Sequence, residues 1–303
     1  MINSEQEKIH KSSFYNKVFR RVEKNIFDNR LLIDKTINSK RSTAVKFYYR
    51  PDFKINFGDL LTPVILRKFG VIPIPALVDF TSVCVGSLLE EIDSKYKGYI
   101  IGSGLIYEKR KSFDNAIILA VRGKLTQELI GAPNNIVLGD PGLLVSYLIK
   151  KSPKKRFEVG LVPHYVDKLD KRLFRIIDRF PGQVKIIDVQ RGPLSVLREI
   201  DQCRYILSSS LHGLVSADSL GIPNAWIELS DKVYGSGFKF HDYASAFDCE
   251  IKSNYLSGDE DINMLVQMTH QVSPNVELVK AQLSDLFVRF RELVVHNNLS
   301  MKR

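Results

Sequence analysis

Apolar residues fall in short runs along this chain, and the runs alternate with stretches whose apolar positions recur at helical spacing. Ala44-Val45-Lys46-Phe47-Tyr48-Tyr49, Ser82-Val83-Cys84-Val85, Tyr99-Ile100-Ile101, Ala116-Ile117-Ile118-Leu119-Ala120 and Ile136-Val137-Leu138 read as strands, the first ending before Pro51. Leu60 to Phe69 and Lys124 to Ile130 read as helices between them. Strands alternating with helices predict a mainly parallel sheet with helices on its faces.

Charge and proline interrupt the pattern at Lys151-Ser152-Pro153-Lys154-Lys155-Arg156, and a second series then begins at Phe157-Glu158-Val159-Gly160-Leu161-Val162. It continues through strands at Val184–Ile187, Tyr205–Leu207 and Ala225–Ile227, with helices at Lys171–Phe180, Leu194–Gln202 and Leu214–Leu220. A last helix, Val276 to Val295, sets Val279, Leu283, Leu286, Phe290 and Leu293 on one face, placed to pack back on the first half. The expected organisation is a basic, partly helical leader at 1–43, a half at 44–150, a second half at 151–270 and a C-terminal helix at 271–303. The predicted fold is α/β, two Rossmann-like domains facing one another, with ligands in the cleft at the carboxyl ends of the strands.

Composition supports a packed core: 44% of the 303 residues are hydrophobic and 10% aromatic, so disorder is not the default expectation. The formal charge of +10 favours acidic partners, whether phosphorylated metabolites, an anionic membrane surface or nucleic acid. Half of that excess lies in residues 1–41, where ten Lys/Arg face five Asp/Glu. There Phe14, Val18, Val22 and Ile26 fall at helical spacing among Lys17, Arg20, Arg21 and Lys24, which suits either a membrane-surface helix or an amphipathic helix capping the core. No apolar run is long enough to span a bilayer and the first residues form no signal-peptide core, so a cytoplasmic protein is expected, with contact at the inner face of the membrane left open. Cys84, Cys203 and Cys249 have no paired spacing, arguing against both a disulfide framework and a zinc site. Aromatic and basic residues are not interleaved as in nucleic-acid-binding modules, so no nucleic-acid partner is expected.

Candidate chemistry collects at the strand ends. Ser208-Ser209-Ser210-Leu211-His212-Gly213 puts a histidine where a strand gives way to a helix, and a helix starting there aims free N–H groups at an anion. Asn56-Phe57-Gly58-Asp59 offers polar side chains about a glycine turn, Asp59 serving either as N-cap or as acceptor ligand or base. Gly102-Ser103-Gly104 is a second glycine turn lacking the spacing of a dinucleotide fingerprint. Arg122 ends a strand where its fork can hold a carboxylate or phosphate, and Asp140 can cap the next helix or orient a cleft residue. His164 follows a strand end, and Lys239 follows the glycine-rich stretch Gly235-Ser236-Gly237. Nucleophile elbow, P-loop and zinc-protease motifs are absent from the sequence.

In this order, Asn56-Phe57-Gly58-Asp59, Gly102-Ser103-Gly104, Val121-Arg122-Gly123, Leu138-Gly139-Asp140-Pro141, Val162-Pro163-His164, Ser208–Gly213 and Gly237-Phe238-Lys239-Phe240 resemble the polysaccharide pyruvyl transferase family. The resemblance runs from about Lys46 to Phe247. It implies a GT-B-like pair of domains that moves pyruvate from phosphoenolpyruvate, a co-substrate, onto two hydroxyls of a surface-polysaccharide or lipid-linked sugar, with no cofactor and no metal. By this resemblance His212 and Asp59 are catalytic; Arg122, Ser209, Ser210, Leu211, Gly213, Lys239 and His164 bind the donor; Asn56, Gly58, Gly102, Ser103 and Gly104 face the acceptor. One departure stands out, since many relatives have arginine where this chain has Ser210. A nucleotide-sugar glycosyltransferase and a non-catalytic carbohydrate-binding scaffold remain as alternatives; the acceptor sugar and oligomeric state stay open.

Overall fold

Two parallel β-sheets organise the chain in the computed structural model, which describes residues 44–48 and 57–300, with side chains through 296. The basic leader, Tyr49 and Asn56 lie outside the described residues.

The first sheet is built from β1 (Ala44–Tyr48), β2 (Ile72–Ala76), β3 (Ser82–Val83), β4 (Tyr99–Ile101), β5 (Ile117–Val121) and β6 (Val137–Leu138), in the order β2-β1-β3-β4-β5-β6. Helices α1 (Leu61–Lys68) and α2 (Lys124–Leu129) belong to this half, and a 3₁₀ helix follows at Pro141–Tyr147. The second sheet contains β7 (Phe157–Val162), β8 (Val184–Ile186), β9 (Cys203–Ser208), β10 (Asn224–Glu228) and β11 (Asn254–Tyr255), in the order β11-β10-β9-β7-β8. Its helices are α3 (Lys171–Arg179), α4 (Pro193–Asp201), α5 (Leu211–Leu220), α6 (Phe238–Ser245) and α7 (Ile262–Gln267), followed by α8 (Asn275–Ser300). Every strand pair is parallel.

In each sheet the first strand sits between the second and the third: β1 between β2 and β3, and β7 between β8 and β9. The chain therefore reverses direction across the sheet at β1/β3 and again at β7/β9. At such a point the loops leaving the two strands diverge, opening a crevice beyond their carboxyl ends where ligands bind.

Parallel strands buried on both faces alternate their side chains between two cores. Ile101 and Ala120 enter one apolar cluster, while Ile100 and Val121 enter another. The first of these clusters is shared: Val45 and Phe47 of β1, Val162 and Ile206 of the second sheet, and Val279, Leu283, Leu286, Phe287 and Phe290 of α8 all belong to it. A common core joins the halves, so their crevices are held in a defined relation.

Six elements depart from the sequence reading, β11 and α7 among them, since neither was predicted. β2, Ile72-Pro73-Ile74-Pro75-Ala76, went unpredicted because two prolines argue against a strand; it forms at the edge of its sheet, where missing N–H donors cost least. Helix α5 begins at Leu211, three residues before the expected Leu214, taking His212 into its first turn. The stretch from Phe238, expected as loop, is helix α6, with Gly237 at φ +84° as its N-cap. On α8, Leu293 is exposed and Val294 buried, because the step of four from Phe290 keeps 294 on the core face.

Candidate active site

Beyond the β7/β9 switch point, β7 runs into Pro163-His164 and β9 into Ser209-Ser210 and the start of α5. Ser208 fixes the turn: its hydroxyl donates to a carbonyl, lies 2.8 Å from both Val162 O and Ser210 O, and accepts from the Ser210 amide at 3.0 Å. Gly213 lets α5 lie this close, since a Cβ there would come within 2.2 Å of Ser208 Oγ. Ser209 ties the two strand ends together, accepting from the His164 amide at 2.8 Å and facing Asp167 Oδ2 at 3.4 Å. At the mouth of α5 the Leu211 and His212 amides have no partner among the described residues, and the N-cap Ser210 lends them no side-chain bond. The Leu211 side chain packs into the shared core.

His212 is almost fully buried, its Nε2 turned to Asp140 Oδ2 at 3.5 Å. Asp140 does two jobs: Oδ1 caps the 3₁₀ helix by accepting from the Gly142 amide at 2.7 Å, and Oδ2 faces the imidazole. At this distance the two groups face each other without a hydrogen bond, neither atom has another hydrogen-bond partner among the described residues, and only one ring nitrogen is turned to the carboxylate. The other nitrogen, Nδ1, faces the loop after the first sheet's switch point, where a Cβ at Gly58 would come within 2.2 Å of it. Thus the loops beyond the two switch points meet at His212. Next to Gly58, Asp59 lies near enough to Lys239 to favour its charged form. The N-cap of α1 is Leu60, so Asp59 does not cap that helix.

Lys239, in the first turn of α6, is 8% exposed, and its ammonium makes no hydrogen bond or ion pair among the described residues. It sits 5.5 Å from the centre of the Phe240 ring. Burial, helped by the nearby Arg122 guanidinium, holds its pKa down to about 8. His164, also buried, is pushed to about 3 by burial and by Lys239, which keeps its imidazole neutral. Asp167, absent from the sequence-derived candidates, adjoins them: its carboxyl bridges the Ser209 and Ser230 hydroxyls, and burial raises its pKa. Its one sequence signal was its position three residues after His164.

Several expected ligands have other work. Arg122 is fully buried: Nε donates to Asp242 Oδ2 at 2.8 Å, Nη1 to Ser87 Oγ at 2.6 Å, and Nη2 to the Leu105 carbonyl. Asp242 also accepts from the Thr126 amide and hydroxyl, each at 2.7 Å. The guanidinium is thus an internal tie between the end of β5 and α6, and it does not grip a donor. Gly104 makes room for it, a Cβ there falling 2.4 Å from Arg122 Cζ. Ser103 is fully buried, donating to the Gly86 carbonyl at 2.8 Å and accepting from the Leu88 amide, so its hydroxyl is closed to an acceptor. Gly102, at φ +84°, packs against Pro141. The expected acceptor turn at 102–104 is therefore a packing device, and Gly58 serves His212.

Near these switch points of an α/β fold lie a buried ammonium and two helix amides with no hydrogen-bond partner among the described residues, beside a histidine that faces a carboxylate, a combination suited to an anion. The sequence model of the family described as "Polysaccharide pyruvyl transferase" matches residues 18–231. The chain belongs to that family.

Among curated proteins, an uncharacterized protein, L143, of Acanthamoeba polyphaga mimivirus is 36% identical over 239 residues, 71% of this chain and 78% of that protein. The succinoglycan biosynthesis protein ExoV of Rhizobium meliloti (strain 1021) is 29% identical over 212 residues, 66% of this chain and 64% of that protein. Among solved structures, a functionally uncharacterized protein from Klebsiella pneumoniae aligns at TM-score 0.39 and 14% identity, covering 75% of this chain and 98% of its own. Membership of the family supports a pyruvyltransferase role in general. Among the described residues no helix is long and apolar enough to cross a membrane.

Proposed function

We propose that this chain moves the pyruvyl group of phosphoenolpyruvate onto two hydroxyls of one sugar, forming a cyclic ketal and releasing phosphate. The observation that carries the reading is the unpartnered, nine-tenths buried ammonium of Lys239 close to His164 and the uncapped start of α5. A buried cation is held against its desolvation cost only where a counter-charge arrives, and a small phosphorylated carboxylic acid supplies one.

In this reading Lys239 holds the phosphate and the Leu211 and His212 amides hold the carboxylate, covering for the arginine that Ser210 replaces. His212 donates a proton from Nδ1 to the methylene carbon of the donor, and positive charge develops at C2. A sugar hydroxyl bonds to C2 and gives up its proton to Asp59. The C2–O bond to phosphate then breaks, the second hydroxyl bonds to C2, and its proton leaves to solvent. One donor and two hydroxyls thus yield one ketal and one phosphate.

The arrangement also fits a GT-B-like pair of Rossmann-like lobes at 44–150 and 151–270, supported by the shared strand order. A sugar chain, lipid-linked or free, is the proposed acceptor, and no cofactor takes part.

The test is phosphate release from phosphoenolpyruvate in the presence of acceptor, compared between wild type and His212→Gln. A positioned proton donor contributes roughly 10²–10⁴-fold. A folded His212→Gln protein working within a few fold of wild type removes His212 from the chemistry. Binding of phosphoenolpyruvate without any turnover by wild type favours the scaffold alternative.

A further inference from the structure

Two cavities adjoin the anion site, and neither has a part in the chemistry above. The first, of about 470 Å³, begins at Ser209 and runs past Trp226, Glu228, Phe240 and Tyr255 to Ser236. The second, of about 570 Å³, is bounded by Tyr107, Glu108, Glu128, Phe238 and His241, and again by Ser236. Both are lined by Ser236, so they lie in line on either side of it, from the strand end at Ser209 to Tyr107 and Glu108 of the first half.

Their chemistry is unlike the rest of the molecule. The chain carries a net charge of +10, yet the two linings contain Glu108, Glu128, Glu228 and Asp231 and no lysine or arginine. The Arg172 guanidinium that lies over the Tyr255 ring is already held by Asp170, so a nucleoside diphosphate or acidic sugar would meet carboxylates with no cation in the lining itself, whereas neutral hydroxyls can donate to them. Aromatic faces complete the pattern. Trp226 is stacked on Phe240 with centroids 4.4 Å apart and planes 11° from parallel, giving a rigid floor. Tyr255 and Tyr107 are 71% and 46% exposed, and although Arg172 lies over one face of Tyr255 at 5.1 Å, the exposed aromatic surface that remains is of the kind that packs on the C–H side of a pyranose ring.

The wall between the cavities is built for position. Gly235, Ser236 and Gly237 are three consecutive left-handed residues, at φ +97°, +42° and +84°. Gly235 is pressed on the first half, where a Cβ would come within 2.2 Å of the Ile106 carbonyl, and Gly237 on Trp226. A serine kept in that conformation between two glycines is strained backbone of the sort found at ligand sites.

We propose that these two cavities form a groove for an uncharged oligosaccharide, the part of the acceptor beyond the sugar that reacts; the assignment to the acceptor rests on the transferase reading above. It would move acceptor recognition from the turn at 102–104 to the edge of the second sheet.

Trp226 is the single tryptophan of the chain, so its emission reports occupancy directly. The protein is titrated with cellotetraose, β-1,4-galactotetraose and mannotetraose, and separately with tetragalacturonate and UDP. The expected result is a saturable change in Trp226 emission with at least one neutral tetrasaccharide and none with the two anions. Tyr255→Ala and Tyr107→Ala, each melting as wild type does, should weaken that affinity about tenfold. Silence toward all three neutral tetrasaccharides, equal binding of UDP or tetragalacturonate, or undiminished affinity in both variants overturns the groove. Stabilisation of wild type by phosphoenolpyruvate is measured in parallel. Saccharide binding without it keeps the groove and ends the pyruvyl reading, and the converse keeps that reading and ends the groove.

Discussion

Arg122 and Lys239 are both buried cations, 0% and 8% exposed, near enough that one depresses the pKa of the other, yet they live under opposite conditions. Arg122 is surrounded by Asp242, Ser87 and the Leu105 carbonyl. Lys239 makes no hydrogen bond or ion pair among the described residues. A satisfied buried charge holds the fold together, while one with no hydrogen-bond partner among the described residues has capacity left for a ligand. Read this way, burial alone says nothing about role; what separates structure from site is whether the hydrogen-bonding capacity is already filled.

The sharpest way to break the comparison is to remove each cation in turn. Arg122→Met strands Asp242 as a buried charge and should cost about 3–5 kcal/mol of stability, read from urea unfolding. If it melts like wild type, the tie is not structural. Lys239→Met should do the reverse: stability unchanged or raised, and phosphate release reduced roughly 10²–10³-fold, the scale of losing one charge-stabilising group. A Lys239→Met enzyme with full turnover ends the equivalence of unpartnered charge and donor site.

Titration gives a smaller but directional effect. Lys239 has a folded pKa near 8 against an ordinary 10.5, so between these values the unfolded chain binds more protons than the folded one. Stability of the ligand-free protein attributable to this lysine therefore rises with pH across that window. Donor affinity should fall across the same window, because the ammonium that holds the phosphate is lost. Calorimetric titration with phosphoenolpyruvate from pH 7 to 10 checks the second, and thermal melts compared with Lys239→Met check the first. Parallel trends in the two measurements would exclude Lys239 as the ligand.

The smallest expected change comes from Gly58→Ala. Its Cβ would enter the space of His212 Nδ1, so turnover should fall about tenfold or more while the core stays intact. Melting within a few degrees of wild type with reduced phosphate release fits a positioning role; lost folding would show instead that Gly58 serves the core.

Much of the fold was legible because its strands are buried on both faces and read as plain apolar runs. Of the proposed site, His212, Lys239, His164 and Asp59 were chosen from their places at strand and helix ends, and the structure brings them near one another. Arg122 was assigned to the donor on the same rule and proved an internal tie, because the partner that occupies it, Asp242, lies 120 residues further along the chain. Asp167 was missed for a related reason: its hydroxyl partners Ser209 and Ser230 are 42 and 63 residues distant. Local pattern can say that a polar residue stands near a strand end, and it cannot say what stands opposite.

By itself, then, the amino-acid order determined the alternation of strand and helix, the two series that build the two sheets, and the set of polar residues at their carboxyl ends, since these depend on periodicity and on neighbours a few positions away. Tertiary structure alone decided which of those residues are consumed by the fold and which remain open, and it placed the two acid-lined, aromatic cavities beside the proposed anion site. The reason is physical: hydrogen-bond satisfaction and desolvation are set by atoms from distant segments, and those atoms become neighbours only when the two sheets close around a common core.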